Sequence, residues 1–586
     1  MLNLDNLNEA QKSAVIHGKG PMLVLAGPGS GKTTVVLYRI IHLVEVFRVK
    51  PQNIIVLTFT KEATLSLKNR FLHLFKENMP VYFGTFHSFF YQILLKSRMY
   101  SENNIMTLDK KKQLVSFVME KLTVDKEKIN IEDCLGAISY YKNTGNLNDT
   151  LQKFTNLDET LFKDILNEYD VLRKKEKMLD YDDILWECKE LLKAQPSYCE
   201  KLRKQFTYYL LDEFQDINPI QYEILKLLVY QTEKNIFAVG DDDQAIYSFR
   251  GASHVCMKNF KKEFNAETVL LNVNYRSEKE IVDKSLKMMN KGTDRFEKDL
   301  IAYRGDFNEK CFQIQGVKSE EEQYQIIDTI LKKINENEKC AVLFRTNLQL
   351  KKYETIFRRK HLKYSTMNKN IKKHFVYEDI DAYLQLINGM EDKILLNRIM
   401  NRPNRGISRE GLQYKTVSDN KLIDLVRQLQ KMKKKPLFLQ FQYIVNVMEY
   451  QKCLQDELSL STEERKEALD TLEKIGKDIK KYKFYEEWRN NKDKTEEFEA
   501  SSEEKKITLM TIHASKGLEF EYVWIPDCNE GIYPKGTLLT EKEIEEERRI
   551  FYVAMTRAKK YLELSYLIGE QKNSRFPSQF IKDIME

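Results

Sequence analysis

Cysteine is scarce in this sequence, and its spacing argues against the common metal clusters. Eight cysteines are scattered among 586 residues, and no pair of them has the CxxC spacing that zinc and iron–sulfur sites use. Scattered cysteines without a pairing pattern are typical of reduced thiols, which indicates a reducing compartment. We therefore expect a cytoplasmic protein without zinc or an iron–sulfur cluster.

Long hydrophobic runs and a strong net charge are absent as well. No apolar stretch approaches the roughly 20 residues that a membrane-spanning helix needs. The N-terminal segment MLNLDNLNEAQKS lacks the basic start and the apolar core of a signal peptide. Lysine and arginine number 95 against 88 aspartates and glutamates, a net charge of +7. This excess permits a nucleic-acid partner without demonstrating one, and the length allows several domains.

The segment 22–34, MLVLAGPGSGKTT, joins an apolar run to a glycine-rich turn and then to an apolar helical pattern. In a strand–loop–helix unit of this kind, backbone N–H groups and the helix N-terminus can hold phosphate oxygens. Lys32 would reach the β- and γ-phosphates, and the Thr33 hydroxyl would hold Mg²⁺. The alternative is a glycine-rich turn that binds nothing. The residues predicted to form the phosphate site are Ala26, Gly27, Pro28, Gly29, Ser30, Gly31, Lys32, Thr33 and Thr34.

A second apolar strand pattern, YYLL, ends in Asp212 and Glu213. Asp212 would lie beside the metal-bound phosphates, and Glu213 would be the base that activates an attacking water molecule. An Asp-Glu pair after a strand is common, but together with Lys32 it predicts a nucleotide hydrolase.

Four further residues are candidates for the same site. Gln244 follows the strand pattern IFAVG and would sense the γ-phosphate. Tyr275 and Arg276 end the strand pattern LLNVNYRS, where the tyrosine would stack on adenine and the arginine would contact the γ-phosphate. Gln11 precedes the first strand, and its amide could bond an adenine edge.

Polar and aromatic residues also follow several of the predicted strands, at the sheet edge where open α/β sheets bind ligands. Tyr247, Phe249 and Arg250 combine two rings and a cation, which suits the stacking of single-stranded bases. The alternative for these three residues is a packed aromatic loop, and the alternative for Phe59 is a position in the hydrophobic core. The other candidates at this edge are Thr60, Thr85 and His87.

The order of these motifs resembles the UvrD/PcrA/Rep family of superfamily 1 DNA helicases. The motifs that carry the resemblance are Gln11, AGPGSGKT, TFT, GTFHS, DEFQD, VGDDDQAIYSFRGA, NYRS, FRTN (344–347), NRPNRGI (401–407), TLMTIHASKGLEF (508–520) and EEERRIFYVAMTRAK (545–559). They extend over nearly the whole chain.

This resemblance implies an ATP-dependent 3′–5′ DNA helicase that uses ATP and Mg²⁺ and acts on single-stranded DNA and single/double-strand junctions. ATP would bind between two lobes, where Arg557 would complete the site as an arginine finger and Glu519 would bind the ribose. His513 would couple the DNA to the γ-phosphate sensor. Arg345 and Asn347 would contact the DNA backbone.

The chain pattern favours an α/β fold, because strand–helix alternation is interrupted twice by charged helical stretches. We expect two RecA-like P-loop lobes with parallel sheets, each interrupted by a mainly helical insertion. The predicted segments are the first lobe (1–102 and 191–275), its insertion (103–190), the second lobe (276–375 and 505–586) and its insertion (376–504).

Two departures from the family pattern leave alternatives open. Thr34 stands where the family carries an arginine over the adenine, which affects the preference for ATP. The second insertion is short, and in the family this domain governs unwinding. The alternatives are a DNA-stimulated translocase that needs a partner to unwind, a non-catalytic DNA-binding scaffold, and an RNA helicase. Repair, plasmid replication, conflict resolution and phage defence would all use the same activity.

Overall fold

The computed structural model describes most of the chain. The described residues are 4–75, 79–101, 104–125, 129–229, 233–305, 311–335, 337–360, 362–366, 375–389, 393–407, 420–456, 462–489, 507–536, 538–568 and 576–586. Among them, no helix has the length and apolar character needed to cross a membrane. The chain divides into two compact units, of which the first comprises Met1–Tyr353 and Met510–Glu586 and the second comprises Glu354–Leu509.

The first unit begins with a six-stranded sheet. Its strands are β1 (Met22–Ala26), β2 (Ile54–Thr58), β3 (Tyr82–Thr85), β4 (Tyr208–Leu211), β5 (Ile236–Gly240) and β6 (Glu267–Leu271). They lie in the order β3-β2-β4-β5-β1-β6, and every pair is parallel. Every residue of β1, β2 and β5 is buried, which explains their continuous apolar runs. We call this sheet with its helices the first lobe.

Thirteen helices accompany this part of the described chain. They are α1 (Glu9–Ile16), α2 (Lys32–Glu45), α3 (Lys61–Phe75), α4 (Phe86–Lys96), α5 (Leu108–Lys121), α6 (Ile131–Thr144), α7 (Leu147–Lys153), α8 (Glu159–Lys175), α9 (Tyr181–Ala194), α10 (Pro196–Gln205), α11 (Pro219–Val229), α12 (Val255–Glu263) and α13 (Lys279–Met289). Helices α5 to α8 lie between β3 and β4 and have a hydrophobic core of their own, which includes Phe162, Ile165 and Tyr169. They form a helical insertion in the first lobe.

Asn143, near the end of α6, connects this insertion to the first lobe. Its side-chain oxygen accepts a hydrogen bond of 2.6 Å from Asn218, which directly precedes α11. Its amide nitrogen donates to Asp182 of α9 across 2.7 Å. A Cβ atom at Gly251 would lie 2.8 Å from Cβ of Asn143. The loop after β5 therefore packs directly on the insertion.

The remaining strands are β7 (Val273–Asn274), β8 (Ile301–Ala302), β9 (Phe312–Val317), β10 (Cys340–Phe344), β11 (Tyr364–Thr366), β12 (Ile507–Thr511), β13 (Phe520–Ile525) and β14 (Ala558–Leu567). In the first unit, β10, β13, β14 and β9 lie side by side in that order and are parallel. We call this sheet with its helices the second lobe. Strands β7 and β8 form a separate parallel pair.

The remaining helices are α14 (Glu320–Lys333), α15 (Asn347–Arg359), α16 (Phe375–Ile387), α17 (Lys393–Ile399), α18 (Asn420–Gln430), α19 (Leu437–Gln442), α20 (Tyr450–Asp456), α21 (Thr462–Ile479), α22 (Ile512–Ser515), α23 (Glu541–Met555) and α24 (Gln579–Met585). Helices α16 to α21 belong to the second unit. They share a core that includes Tyr383, Leu425, Ile475 and Trp488. In the same unit, β11 pairs with residues 507–509 of β12.

The predicted fold class is confirmed: the protein is α/β, with parallel sheets in two lobes and a mainly helical stretch within each. The boundaries of the six segments stay a prediction.

Candidate functional site

The glycine-rich loop between β1 and α2 (residues 27–31), which we call the phosphate loop, has two positions that require glycine. Gly29 has a φ of +63° and Gly31 a φ of +85°, in the left-handed region that other residues rarely adopt. A Cβ atom at Gly29 would lie 2.5 Å from Cβ of Arg276. The Ser30 hydroxyl donates to the carbonyl oxygen of Gly27 across 2.8 Å. This closes the loop at the N-terminus of α2, where N–H groups and the helix dipole favour an anion.

Two residues predicted to contact the base lie against this loop. The Gln11 side-chain nitrogen donates to the carbonyl oxygen of Ser30 across 2.9 Å, and Gln11 forms a capping box with Asn8. The backbone N–H of Tyr275 donates to the carbonyl oxygen of Gly29 across 3.0 Å. The Tyr275 hydroxyl accepts from the Asn8 side chain across 2.8 Å. Gln11 and Tyr275 are thus held in fixed positions relative to the loop.

Asp212 and Glu213 follow β4 directly, at the edge where β2 and β5 also end. Glu213 has a φ of +53°, a strained conformation of the kind found at functional sites. Gln215 donates to its Oε2 across 2.6 Å and orients the carboxylate. Although burial opposes the shift, the charges of Lys32 and Lys516 hold the pKa of Glu213 below its usual value. Glu213 therefore keeps the negative charge that a general base needs.

The donor set beside this loop fits a magnesium ion. Thr33, in the first turn of α2, offers a hydroxyl oxygen, and Asp212 offers carboxylate oxygens, which are the hard ligands that Mg²⁺ prefers. Burial and the neighbouring charge of Glu213 raise the pKa of Asp212. A cation bound there would offset this unfavourable burial of negative charge.

Arg557, two residues after α23, joins the second lobe to the first. Its Nη2 donates to the side-chain oxygen of Gln244 across 3.0 Å, and the amide nitrogen of Gln244 donates to Asp241. Asp241 also lies 4.0 Å from the Nζ atom of Lys32. The predicted γ-phosphate sensor, the predicted arginine finger and the phosphate-loop lysine are therefore linked by one chain of contacts.

The environment of Arg557 suits an anionic ligand. Its side chain is buried, and its other acceptors are two backbone carbonyl oxygens and one hydroxyl oxygen. All of its hydrogen-bond acceptors are therefore neutral groups. Burial, followed by the charge of Arg276, lowers the pKa of Arg557. A phosphate beside these two arginines would offset the cost of burying their charges.

Lys516 forms a second bridge between the lobes, and the sequence-based predictions did not include it. Its Nζ atom donates to the two carboxylate oxygens of Asp216 across 2.7 and 2.5 Å and to the carbonyl oxygen of Gln244 across 2.7 Å. It also lies 4.9 Å from the ring centroid of Tyr247. The sequence signal that could have identified Lys516 is its place in the segment IHASKGLEF, three residues after His513. Lys516 therefore contacts Gln244, the predicted γ-phosphate sensor, and also the aromatic ring of Tyr247.

Arg276 is held between the phosphate loop and the second lobe. Its Nε atom donates to the Glu519 carboxylate across 2.9 Å, and Glu519 also pairs with Lys559 at 2.8 Å. Although burial opposes the shift, Lys559 and Arg276 lower the pKa of Glu519. The predicted contact of Glu519 with a ribose stays a prediction.

Three consecutive aspartates after β5 form a cluster that a lysine fills. Asp241, Asp242 and Asp243 offer oxygen atoms close enough together to hold a metal ion. The Nζ atom of Lys298 lies 2.5, 2.6 and 2.9 Å from these three carboxylates. Although burial opposes the shift, the carboxylates raise the pKa of Lys298 well above its usual value. Lys298 therefore stabilises the turn that holds Gln244, and its isolated place in the sequence gave no signal of this role.

Four rings from both lobes meet at the same edge, and we call them the aromatic cluster: Phe59, Tyr247, Phe249 and His513. The rings of Phe59 and Tyr247 stack at 5.0 Å with 24° between their planes. Phe249 lies 6.1 Å from Tyr247 and 5.5 Å from His513. Phe249 is 52% exposed, so its ring is accessible to a stacking base.

Comparison with known proteins decides the family. Residues 7–265 match the UvrD/REP helicase N-terminal domain, and residues 269–568 match the UvrD-like helicase C-terminal domain. The chain belongs to the UvrD/REP helicase family. The predicted resemblance and the predicted enzyme class, a helicase, are confirmed.

Two relatives of this UvrD/REP family helicase carry the name ATP-dependent DNA helicase PcrA. The protein from Staphylococcus epidermidis is 30% identical over 99% of this chain and 86% of its own length. The protein from Staphylococcus aureus is 29% identical over 100% of this chain and 87% of its own length.

Three residues of this UvrD/REP family helicase that were predicted to contact DNA have structural partners. The Thr85 hydroxyl accepts from the backbone of Ser88 across 3.1 Å and caps α4. The Thr60 hydroxyl accepts in the same way from the backbone N–H three residues later in α3. Arg345 binds Glu547 through two nitrogen atoms, at 2.9 and 2.5 Å. Their contacts with DNA stay predictions, and a phosphate contact by Arg345 would compete with this ion pair.

The remaining residues of this helicase that were predicted to contact DNA are Asn347, His87 and Arg250. Asn347 begins α15. His87 lies in α4, and its ring is 6.5 Å from that of Tyr181, which is 64% exposed and was not predicted. The side chain of Arg250 lies outside the described residues.

Proposed function

We propose that this protein is an ATP-dependent DNA helicase that moves 3′ to 5′ along single-stranded DNA and unwinds duplex DNA ahead of it. The observation that supports this most is the contact between Arg557 and Gln244. This contact joins a buried arginine of the second lobe to Gln244, the predicted γ-phosphate sensor of the first lobe. Such a contact is suited to a site where hydrolysis changes how two lobes are held together.

In this proposal the chain's own residues bind and orient ATP and activate water. Lys32 holds the phosphates, and Arg276 and Arg557 stabilise the charge that develops on the γ-phosphate. Glu213, oriented by Gln215, accepts the proton of the attacking water. Thr33 and Asp212 would hold a magnesium ion, which would supply further positive charge beside the phosphates.

DNA would cross the aromatic cluster. The cluster draws rings from both lobes, so a change in the spacing of the lobes changes the spacing of the rings. Lys516 contacts Asp216, Gln244 and the ring of Tyr247. Lys516 therefore offers a direct physical link between phosphate release and the binding of bases by the aromatic cluster. Single-stranded DNA and single/double-strand junctions in the cytoplasm are the proposed substrates.

The test combines ATP hydrolysis with strand displacement on a duplex that carries either a 3′ or a 5′ single-stranded tail. Glu213→Gln removes the base and keeps the size of the side chain. Glu233→Gln is the matched control, because Glu233 is an exposed glutamate that pairs with Lys19. We expect DNA-stimulated hydrolysis and unwinding of the 3′-tailed duplex in the wild type and the control, and neither in Glu213→Gln.

Other outcomes would replace this proposal. DNA-stimulated hydrolysis without displacement would indicate a translocase that needs a partner. DNA binding without any hydrolysis would indicate a scaffold. Displacement of the 5′-tailed duplex alone would refute the polarity.

A further inference from the structure

A second tyrosine lies beside Tyr275, and the proposed mechanism does not use it. Strands β7 and β8 pair in parallel, with Val273 opposite Ile301 and Asn274 opposite Ala302. Tyr275 and Tyr303 directly follow these two strands. The backbone N–H of Tyr303 continues the ladder by donating to the carbonyl oxygen of Asn274 across 2.8 Å. The pairing therefore brings the two tyrosines side by side.

The two rings are in contact. Their centroids are 4.9 Å apart, and their planes are inclined by 41°. This distance matches the spacing of about 4.8 Å between neighbouring strands. Tyr303 is 71% exposed. Its ring therefore adds little to a hydrophobic core, and the neighbouring Tyr275 ring is its aromatic contact.

Tyr275 is consequently held at three points. Its backbone N–H is bonded to Gly29 in the phosphate loop, its hydroxyl is bonded to Asn8, and its ring lies against Tyr303. Asn8 also forms the capping box with Gln11, whose amide holds Ser30 of the loop. This arrangement fixes the orientation of one aromatic ring relative to the place where phosphates bind.

The four side chains that surround this position carry no charge. Asn8, Gln11, Tyr275 and Tyr303 offer amides, hydroxyls and ring faces. Such groups suit a neutral, flat, hydrogen-bonding ligand better than a second phosphate. A nucleobase attached to phosphates in the loop has this chemistry.

We propose that Tyr303 is a positioning residue of the nucleobase subsite. Its ring supports one face of Tyr275, so that Tyr275 presents the other face to the base of a nucleoside triphosphate. Preorganisation of this kind raises affinity because the ring loses little freedom on binding. The inference rests on the proposed function, since it takes the ligand of the phosphate loop to be a nucleotide.

The experiment measures binding to the full chain by titration calorimetry in the presence of Mg²⁺. The ligands are ATP, which has a base, and inorganic tripolyphosphate, which has none. The variants are Tyr303→Ala, which removes the ring, and Tyr303→Phe, which keeps it. Steady-state hydrolysis on single-stranded DNA gives KM and kcat for the same proteins.

We expect Tyr303→Ala to weaken ATP binding about two- to tenfold, the range of an aromatic pair contact. Its affinity for tripolyphosphate should be unchanged, and its KM for ATP should rise while kcat stays the same. Tyr303→Phe should bind ATP within about twofold of the wild type, because the ring contact remains.

Three results would overturn the inference. They are an unchanged affinity of Tyr303→Ala for ATP, an equal loss for ATP and tripolyphosphate, and a Tyr303→Phe variant as weak as Tyr303→Ala. The second result would mean that Tyr303 only supports the fold. A wild type that binds ATP without hydrolysing it would refute the proposed function while the binding comparison still tests Tyr303. A wild type that does not bind ATP would refute both.

Discussion

The Nη2 atom of Arg557 lies 3.0 Å from the side-chain oxygen of Gln244, although 313 residues separate them in the chain. One belongs to the second lobe and the other to the first. Gln244 in turn binds Asp241, which lies 4.0 Å from Lys32. This continuous chain of polar contacts runs from the phosphate loop across to the other lobe. In the proposed mechanism, these contacts would couple the nucleotide bound at the loop to the arrangement of the two lobes.

Removal of either partner of this contact should abolish hydrolysis. We expect Arg557→Ala to lower the kcat of DNA-stimulated hydrolysis by about a thousandfold or more, the usual effect of losing an arginine finger. The double variant with Gln244→Ala should lose little more than Arg557→Ala, because the two residues act as a unit. Arg427→Ala, at an exposed arginine of the second unit, should hydrolyse ATP at the wild-type rate. Additive losses in the double variant would mean that the two residues act independently.

The phosphate loop should not tolerate a side chain at Gly29. Gly29→Ala would place Cβ 2.5 Å from that of Arg276 and keep a φ of +63°, so the loop or Arg276 must move. We expect ATP hydrolysis to fall at least tenfold, since Arg276 contacts the phosphates in the proposed mechanism. Gly18→Ala is the control, because a Cβ atom there meets nothing within 4 Å. Equal activity of both variants would show that the position of Arg276 against the loop is unimportant.

The aromatic cluster should carry affinity for single-stranded DNA. Phe249→Ala is expected to weaken binding of an oligonucleotide about 5- to 150-fold, because stacking of one base contributes about 1–3 kcal/mol. Fluorescence anisotropy measures this directly. Phe484→Ala removes a phenylalanine of similar exposure, 56%, in the second unit and should bind as the wild type does. An unchanged affinity of Phe249→Ala would contradict the role assigned to the cluster.

Glu563, in β14, should make the stability of the protein depend on pH. Burial raises its pKa from 4.5 to about 7, and the Tyr561 hydroxyl donates to its Oε2 across 2.5 Å. Between these values the folded state keeps a proton that the unfolded state loses, so stability falls as pH rises through this window. The loss amounts to at most about 3 kcal/mol.

The comparison for this prediction is Glu563→Gln, which cannot titrate. Chemical denaturation at about pH 5 and pH 7.5 should show the wild type losing more stability than this variant over the interval. Glu233→Gln, at an exposed position, should follow the wild type. Parallel behaviour of the wild type and Glu563→Gln would refute the shifted pKa.

The parts of the site that could be predicted from sequence are those that depend on short segments. The strand, loop and helix around Lys32 follow from thirteen consecutive residues, since apolar runs and glycines specify them locally. The position of Asp212 and Glu213 directly after a strand follows in the same way from the apolar run before them. The two-lobed α/β fold follows from the alternation of such segments.

The other parts depend on partners that are distant in the chain. Lys298 binds three aspartates more than fifty residues before it, and nothing near it in the sequence marks this contact. Arg345 was predicted to contact DNA, but it is paired with Glu547, 202 residues later. Arg557 was assigned through the family resemblance alone, because an arginine after a helix has no local pattern. Ion pairs of this kind depend on tertiary packing, which local patterns do not encode.

The most direct test of the account is ATP-driven movement along single-stranded DNA that carries streptavidin on a biotin at one end. The wild type should displace streptavidin from the 5′ end and leave it at the 3′ end, and Glu213→Gln should displace neither. ATP hydrolysis without displacement from either end, or displacement from the 3′ end, would contradict an enzyme that moves 3′ to 5′ by alternating contacts between its two lobes.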